Sequence, residues 1–297
     1  MESIKVGFFG DGPWAHDALE RLLTDQTIQI TFVCARFDTP DAYLLELAKR
    51  NNLPGLTIEN VNSEGSLNIL RGFKSDIFVS MSFNQIFKRD ILKAPPLGIV
   101  NCHAGKLPFY RGRNILNWAL INGESEFGIT VHHVDAGIDT GDIILQKTFP
   151  ISQEDDYGSL LKTAYLECAQ LLVEAISQIR TGTSQPVPQI QIDSIGTYFP
   201  RRIEGDEIID WNQTSWELFN FIRAISKPGP QAQTKWNEEI VKINRSELLD
   251  RAPNFKGVPG SVIGISMGGI YVKTSNSLLL LTDYSENFRP RLGDRLK

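Results

Sequence analysis

The sequence predicts an α/β protein in two parts: a Rossmann-like, mostly parallel sheet domain, followed by a smaller β-rich domain resembling an open barrel. Three observations carry this. Apolar strand-like runs alternate with amphipathic helical segments through the first 180 or so residues, the pattern of stacked βα units. The proline-rich stretch Gln185-Pro-Val-Pro188 then breaks that alternation. From about Gly229 onward the runs become short and alternating, separated by glycine and proline, as in small barrels. A chain of 297 residues with 41% hydrophobic content has enough apolar material for one large domain and a small one.

In order along the chain, Ile4 to Phe9 forms a first strand, Gly10-Asp-Gly12 a turn, and a helix runs from about His16 to Leu23. The glycines at 7, 10 and 12 lack the full dinucleotide fingerprint, so they point to a tight turn rather than to a bound dinucleotide. Gln29 to Ala35 is a second strand, Asp41 to Asn51 has helical periodicity, Ser75 to Met81 is a buried strand, and Asn84 to Leu92 suggests a short helix. Leu160 to Ile179 recurs at three- and four-residue intervals, as an amphipathic helix does. Ser215 to Ile225 is a further helix, and Glu239 to Ile243, Gly260 to Ile265, Gly269 to Lys273 and Leu278 to Thr282 are the barrel strands. The apolar run Leu278 to Leu281 suits the barrel core or a subunit contact. The boundaries drawn are 1–184 for a catalytic domain, 185–228 for a linker with a bridging helix, and 229–297 for the small β-rich domain.

Net charge is −5, without the clustered basic face of a nucleic-acid binder. Cys34, Cys102 and Cys168 are widely spaced in apolar surroundings and form neither a disulfide framework nor a zinc site, so a reducing, cytoplasmic setting and no metal are expected. Met-Glu-Ser-Ile-Lys runs directly into the first strand with no signal segment, and no run is long enough to span a membrane.

Residues 101–142 carry the chemistry. Asn101 and His103 follow the strand end Gly98-Ile-Val100, the edge of an open α/β sheet where ligands bind. Alternation along a strand points both to one side and turns Cys102 into the core. After the alternating run Gly128 to Val134, the loop Asp135-Ala-Gly-Ile-Asp-Thr-Gly-Asp142 suits a tight turn that brings Asp139 to the same place. His132 and His133 are read as structural strand residues.

These motifs, N-x-H in VNCHAGKLP, Y-R-G-R in FYRGRNILNWALINGE and D-x-G in GIDTGDII, resemble the folate-dependent formyltransferases, a family that includes methionyl-tRNA formyltransferase and the bacterial sugar-nucleotide N-formyltransferases. The resemblance implies catalytic roles for Asn101, His103 and Asp139 and N10-formyltetrahydrofolate as the co-substrate. It also implies that the loop Ser80 to Phe87 lines the folate pocket through Phe83, Ile86 and Phe87, with Asp139 at its reactive end. Those three apolar residues equally suit packing of the next helix onto the sheet.

Transfer of a formyl group to an amine builds negative charge on the carbonyl oxygen, for which the Asn101 amide and a His103 ring N–H are suitable donors. The amine must also lose a proton. Asp139 either accepts it or orients His103, whose charge a neighbouring carboxylate favours and burial opposes.

The context Y-R-G-R-N-I-L-N-W resembles the sugar-nucleotide enzymes more than the tRNA enzymes, and the charges beyond residue 229 are read as nearly balanced. The acceptor expected is therefore a nucleotide-linked amino sugar, of the dideoxy-amino-hexose type used in bacterial lipopolysaccharide O-antigen. Lys106, Tyr110, Arg111, Arg113, Arg201 and Arg202 are the candidates for holding it, since guanidinium forks match diphosphate oxygens. Trp118 suits either stacking or core packing. Methionyl-tRNA formyl transfer and a non-catalytic folate- or nucleotide-binding role are the alternatives. A homodimer is implied by the resemblance.

Overall fold

The computed structural model describes residues 3–297. In chain order the strands are β1 (Ile4–Gly10), β2 (Ile28–Ala35), β3 (Gly55–Thr57), β4 (Ile77–Met81), β5 (Ile99–His103), β6 (Arg111–Gly112), β7 (Glu126–His133), β8 (Ile143–Pro150), β9 (Tyr198–Phe199), β10 (Ala232–Trp236), β11 (Glu239–Glu247), β12 (Val262–Ser266), β13 (Gly269–Lys273) and β14 (Leu278–Tyr284). The helices are α1 (Gly12–Thr24), α2 (Ala42–Arg50), α3 (Glu64–Gly72), α4 (Arg89–Leu92), α5 (Ile115–Ile121), α6 (Tyr157–Thr181) and α7 (Ser215–Ala224).

Two compact units form, and neither is continuous in sequence. Of the described residues, the first takes 3–112, 128–149 and 163–198; the second takes 113–127, 150–162 and 199–297. Segments 113–127 and 150–162, which the sequence reading assigned to the catalytic domain, thus group with the β-rich part.

The first unit is built on a seven-stranded sheet of order β3-β2-β1-β4-β5-β7-β8. Pairings from β3 through β5 are parallel, whereas β7 runs antiparallel to β5. Of the seven residues of β1 only Lys5 is exposed, which is how a central strand covered on both faces reads in sequence. Phe9, Phe32, Phe78 and Phe87 cluster with Leu67, Leu70 and Ile91 beneath the sheet. The helix expected over 84–92 is only the single turn Arg89–Leu92. The reason is that Asn84 donates to Asp38, while Gln85 accepts from the Val61 amide and donates to the Ile58 carbonyl. Those side chains hold 84–88 as a loop against its neighbours rather than letting it wind.

In the second unit a five-stranded antiparallel sheet has the order β10-β11-β14-β13-β12. Strand β10 was not anticipated, although Ala232 and Thr234 alternate as buried residues within it. The segment 294–297 bonds to both edges. Val262 and Leu296 N–H groups donate to the Asp294 and Gly260 carbonyls, and Lys235 and Lys297 exchange a pair of backbone bonds. This turns an open sheet with two bare edges into a barrel-like closure. Leu279, Leu280 and Leu281 are buried in it, so this run belongs to the core. Helix α7 starts at a capping box in which Thr214 and Glu217 satisfy each other's backbone amides, a cap that contributes about 1 kcal/mol.

Candidate active site

Strand β5 delivers Asn101 and His103 to its carboxyl end, with Cys102 between them buried and its thiol donating to the Cys168 carbonyl. Register with β7 places Asn101 directly opposite His132 and His103 opposite Thr130. Residues opposite one another share a face, so His132 points into the site and is 2% exposed. Alternation along β7 alone gives His132 as a buried strand residue, which it is; the pairing with β5 adds its contact with Asn101.

His132 Nδ1 lies 2.8 Å from the His133 carbonyl. A carbonyl can only accept, so Nδ1 carries the hydrogen. In the neutral ring Nε2 then accepts from the Asn101 amide at 3.2 Å, which leaves the second amide N–H of Asn101 to point elsewhere. In the imidazolium, Nε2 would instead donate towards Asp139 Oδ1, 3.5 Å away.

His103 is held in a matching way. Its Nε2–H donates to the Tyr110 carbonyl at 2.7 Å, so Nδ1 is the nitrogen that faces Asp139 Oδ2 at 3.7 Å. Gly105 permits this bond, because a Cβ there would lie 2.4 Å from the Tyr110 oxygen and 2.5 Å from His103 Nε2.

Asp139 sits on the loop between β7 and β8 in the left-handed region, φ 54°, which Asp tolerates better than longer side chains do. Gly112 N–H donates to its Oδ2 at 2.9 Å. Gly141 lets the loop close, since a Cβ there would fall 1.9 Å from the His133 carbonyl oxygen. Burial alone raises the Asp139 pKa, but the charge of a protonated His103, the hydrogen bond and charge of His132 in its imidazolium form, and the Gly112 amide outweigh it. Its carboxyl is held well below the usual carboxylate range. The group is therefore an anion throughout the neutral range, flanked by two imidazoles.

The other site candidates are distributed differently. Phe87 is buried, stacked on Phe83 at 5.9 Å, and both rings pack edge-on against Phe9. Phe87 is thus a core residue, contrary to a pocket-lining role. Phe83 is half-buried and Ile86 is exposed. Arg111, expected to meet a diphosphate, instead donates through Nε and Nη2 to Gln189 Oε1 and through Nη1 to the Ile195 carbonyl. Tyr110 and Lys106 are half-buried, and the stem of Lys106 packs on Gly128.

In the second unit, Arg202 stacks over Trp118 and Phe221 and donates to the Asp206 carbonyl. This engages it structurally rather than leaving it open to a phosphate. Trp118 stacks on Phe199 at 5.5 Å and donates to the Pro200 carbonyl, the packing alternative for that residue. Arg113 and Arg201 are exposed. Among the described residues no group of three or more His, Cys, Asp or Glu is placed to hold a metal ion, and no helix is long and apolar enough to cross a membrane.

An amide donor, an imidazole and an ionised carboxylate converge past the end of a sheet strand, the kinds of group that acyl transfer uses. Residues 4–176 match the Formyl transferase family and residues 203–290 match Formyl transferase, C-terminal domain. The chain belongs to this family, and it is a formyl-transfer enzyme. It is 31% identical to the methionyl-tRNA formyltransferase of Pelobacter propionicus over 98% of this chain and 92% of that one. The enzyme of the same name from Trichlorobacter lovleyi is 32% identical over 95% and 89%.

Among solved structures, the N-formyltransferase from Helicobacter canadensis, in complex with folinic acid and dTDP-3-aminofucose, superposes with a TM-score of 0.67 at 25% identity, covering 94% of this chain and all of that one. The sugar 3N-formyl transferase WlaRD, crystallised with dTDP and 5-N-formyl-THF, shares the fold with a TM-score of 0.72 at 24% identity, over 97% of this chain and all of that one.

Proposed function

We propose that this enzyme transfers the formyl group of N10-formyltetrahydrofolate to the amine of a nucleotide-linked amino sugar of the dideoxy-amino-hexose type, in the cytoplasm and as a homodimer. The observation that carries the formyl-transfer step is the convergence of Asn101, His103 and Asp139, with one amide N–H of Asn101 left over once His132 has taken the other.

The donor supplies a formyl carbon open to attack by an amine. The second Asn101 N–H stabilises the oxygen as it gains charge. His103 Nδ1 and Asp139 share the space through which the amine's proton departs, and a distance of 3.7 Å is wide enough for the transferred proton to be relayed rather than already bonded. The new C–N bond forms as the bond to N10 breaks, and the proton taken from the amine is available to the leaving nitrogen.

The residues after β4 fit the donor's ring. Asn84 Oδ1 is buried with no hydrogen-bond partner, an acceptor suited to pteridine N–H groups. Phe83 and Ile86 retain surface to lay against the ring.

Charge supports the sugar acceptor. The chain carries −5 overall, and residues 229–297 hold ten Lys and Arg against seven Asp and Glu. That is a modest basic excess, without the dense cationic surface that meeting many phosphates requires. The full-length identity to methionyl-tRNA formyltransferases favours a second reading, with methionyl-tRNA as acceptor.

One assay separates them: N10-formyltetrahydrofolate with dTDP-3-aminofucose and related 3- and 4-amino sugar nucleotides, beside methionyl-tRNA, with the mass of each acceptor measured. A gain of one formyl mass on a sugar nucleotide is expected. Formylation of methionyl-tRNA alone would overturn the sugar reading.

A further inference from the structure

The stretch from Val187 to Ile195 has its polarity inverted. Val187, Ile190, Ile192 and Ile195 are exposed, whereas Gln189 is 3% exposed. A polar side chain buried among exposed apolar ones is held for its hydrogen bonds, and Gln189 makes all that its amide allows. Its Nε2 donates to the carbonyls of Asp139 and Gly141, each at 2.8 Å. Its Oε1 accepts from Arg111 Nε at 3.0 Å and Nη2 at 2.7 Å.

Both ends of this clamp lead to the reacting groups. One end grips the peptides of Asp139 and Gly141 on either side of the left-handed turn. The other grips Arg111, whose neighbours on the chain are Tyr110, the carbonyl partner of His103 Nε2, and Gly112, the amide partner of Asp139 Oδ2. The segment is itself anchored. Val187 and Ile143 exchange two backbone bonds, the Arg111 amide donates to the Thr197 carbonyl, and the Tyr110 amide donates to Thr197 Oγ1.

We infer that Gln189 is a positioning residue for formyl transfer: it sets the separation of Asp139 from His103 by tying the Asp139 loop to Arg111, next to the Tyr110 carbonyl that holds the His103 ring, without touching either substrate. The inference rests on the reading that Asp139 and His103 act in the reaction.

Gln189→Glu tests it. Glutamate keeps the acceptor for Arg111 but places a second acceptor against two carbonyls, so only the Asp139 end of the clamp is lost. Gln189→Met removes the donors without adding a charge and serves if the glutamate variant does not fold. Tetrahydrofolate release from N10-formyltetrahydrofolate is followed with dTDP-3-aminofucose, methionyl-tRNA or hydroxylamine as acceptor, and the same variant is also made in an Asp139→Asn background.

Expected are a fall in kcat of about ten- to a hundredfold, the scale of a displacement near 1 Å, with KM for donor and acceptor nearly unchanged. No further fall is expected in the Asp139→Asn background, because the two changes act through one group. If Asp139→Asn abolishes turnover while Gln189→Glu and Gln189→Met retain it, or if the losses add, the positioning role is overturned and the catalytic reading stands. If Asp139→Asn itself keeps wild-type turnover, both fall together.

Discussion

The strand end at Asn101–His103 and the loop at Asp139 converge on one site but are held in place by different means. Asn101 and His103 inherit their positions from a strand paired on both sides, to β4 and β7. Asp139 has no such ladder. It sits at positive φ and is fixed by single bonds from outside its own loop: the Gly112 amide on its carboxylate and Gln189 on its carbonyl. Strand-borne groups owe their precision to the sheet, and loop-borne groups owe it to a few named contacts. Small changes around the loop should therefore cost more activity than comparable changes within the strand.

The largest effects leave the comparison intact and test its premise. His103→Ala and Asp139→Asn are each expected to fold with near-native thermal unfolding and to lose turnover by about 10²–10⁴-fold, the range for removal of a general acid or base. Steady-state rates of formylation of the acceptor amine check this, and near-normal rates in both variants would dissolve the site.

The sharper comparison sets Gly141→Ala against Cys102→Ala. The first forces a methyl to within 1.9 Å of the His133 oxygen, which the loop can relieve only by moving. A loss of at least about tenfold in kcat is expected, a fraction of the roughly hundredfold cost of an ångström's misplacement. The second removes a buried thiol between Asn101 and His103, costs about 1–2 kcal/mol of stability by loss of buried volume, and should leave kcat within a few-fold. Equal losses in both variants would remove the distinction between strand and loop.

The smallest expected effect is in pH dependence. Because the Asp139 pKa is depressed in the folded protein, its carboxylate contributes stability that is fully present above the unfolded value near 4 and is lost as pH falls through the lower folded value. The difference in melting temperature between wild type and Asp139→Asn should hold steady from pH 7 to about 5 and shift against the wild type below about pH 4. An unchanged difference across that range would mean that the anion has no special partners.

Much of this site was legible as letters. The N-x-H and D-x-G motifs and period-two alternation singled out Asn101, His103 and Asp139, which the structure brings together, and turned Cys102 inward, because those inferences need only local spacing. His132 is buried in its strand, as the alternation implies, but its contact with Asn101 depends on the register of β7 against β5, which no single strand records. Tyr110 and Gly112 act through a carbonyl and an amide that every residue carries. Arg111 looked like a phosphate ligand because a guanidinium is equally suited to an amide oxygen, and its partner Gln189 lies 78 residues away. In the fold, the parallel sheet was readable from alternating runs, whereas closure of the barrel by 294–297 rests largely on backbone bonds, which every residue can make, with Trp236 and Thr234 adding side-chain bonds to it.

The placement of Gln189 has a consequence for how the enzyme comes into being. Chains grow from the amino end, and Gln189 follows Asp139 by fifty residues, so at about 5–20 residues per second the acid waits roughly three to ten seconds for its clamp. During that interval a nascent chain carries Asn101, His103 and Asp139 and the strands of the first sheet, yet its Asp139 loop lacks the Gln189 clamp and keeps only the Gly112 bond. Full competence should arrive as a late step in synthesis, and a ribosome-held chain with residues up to about 185 exposed should hold its Asp139 loop less firmly than the finished chain does.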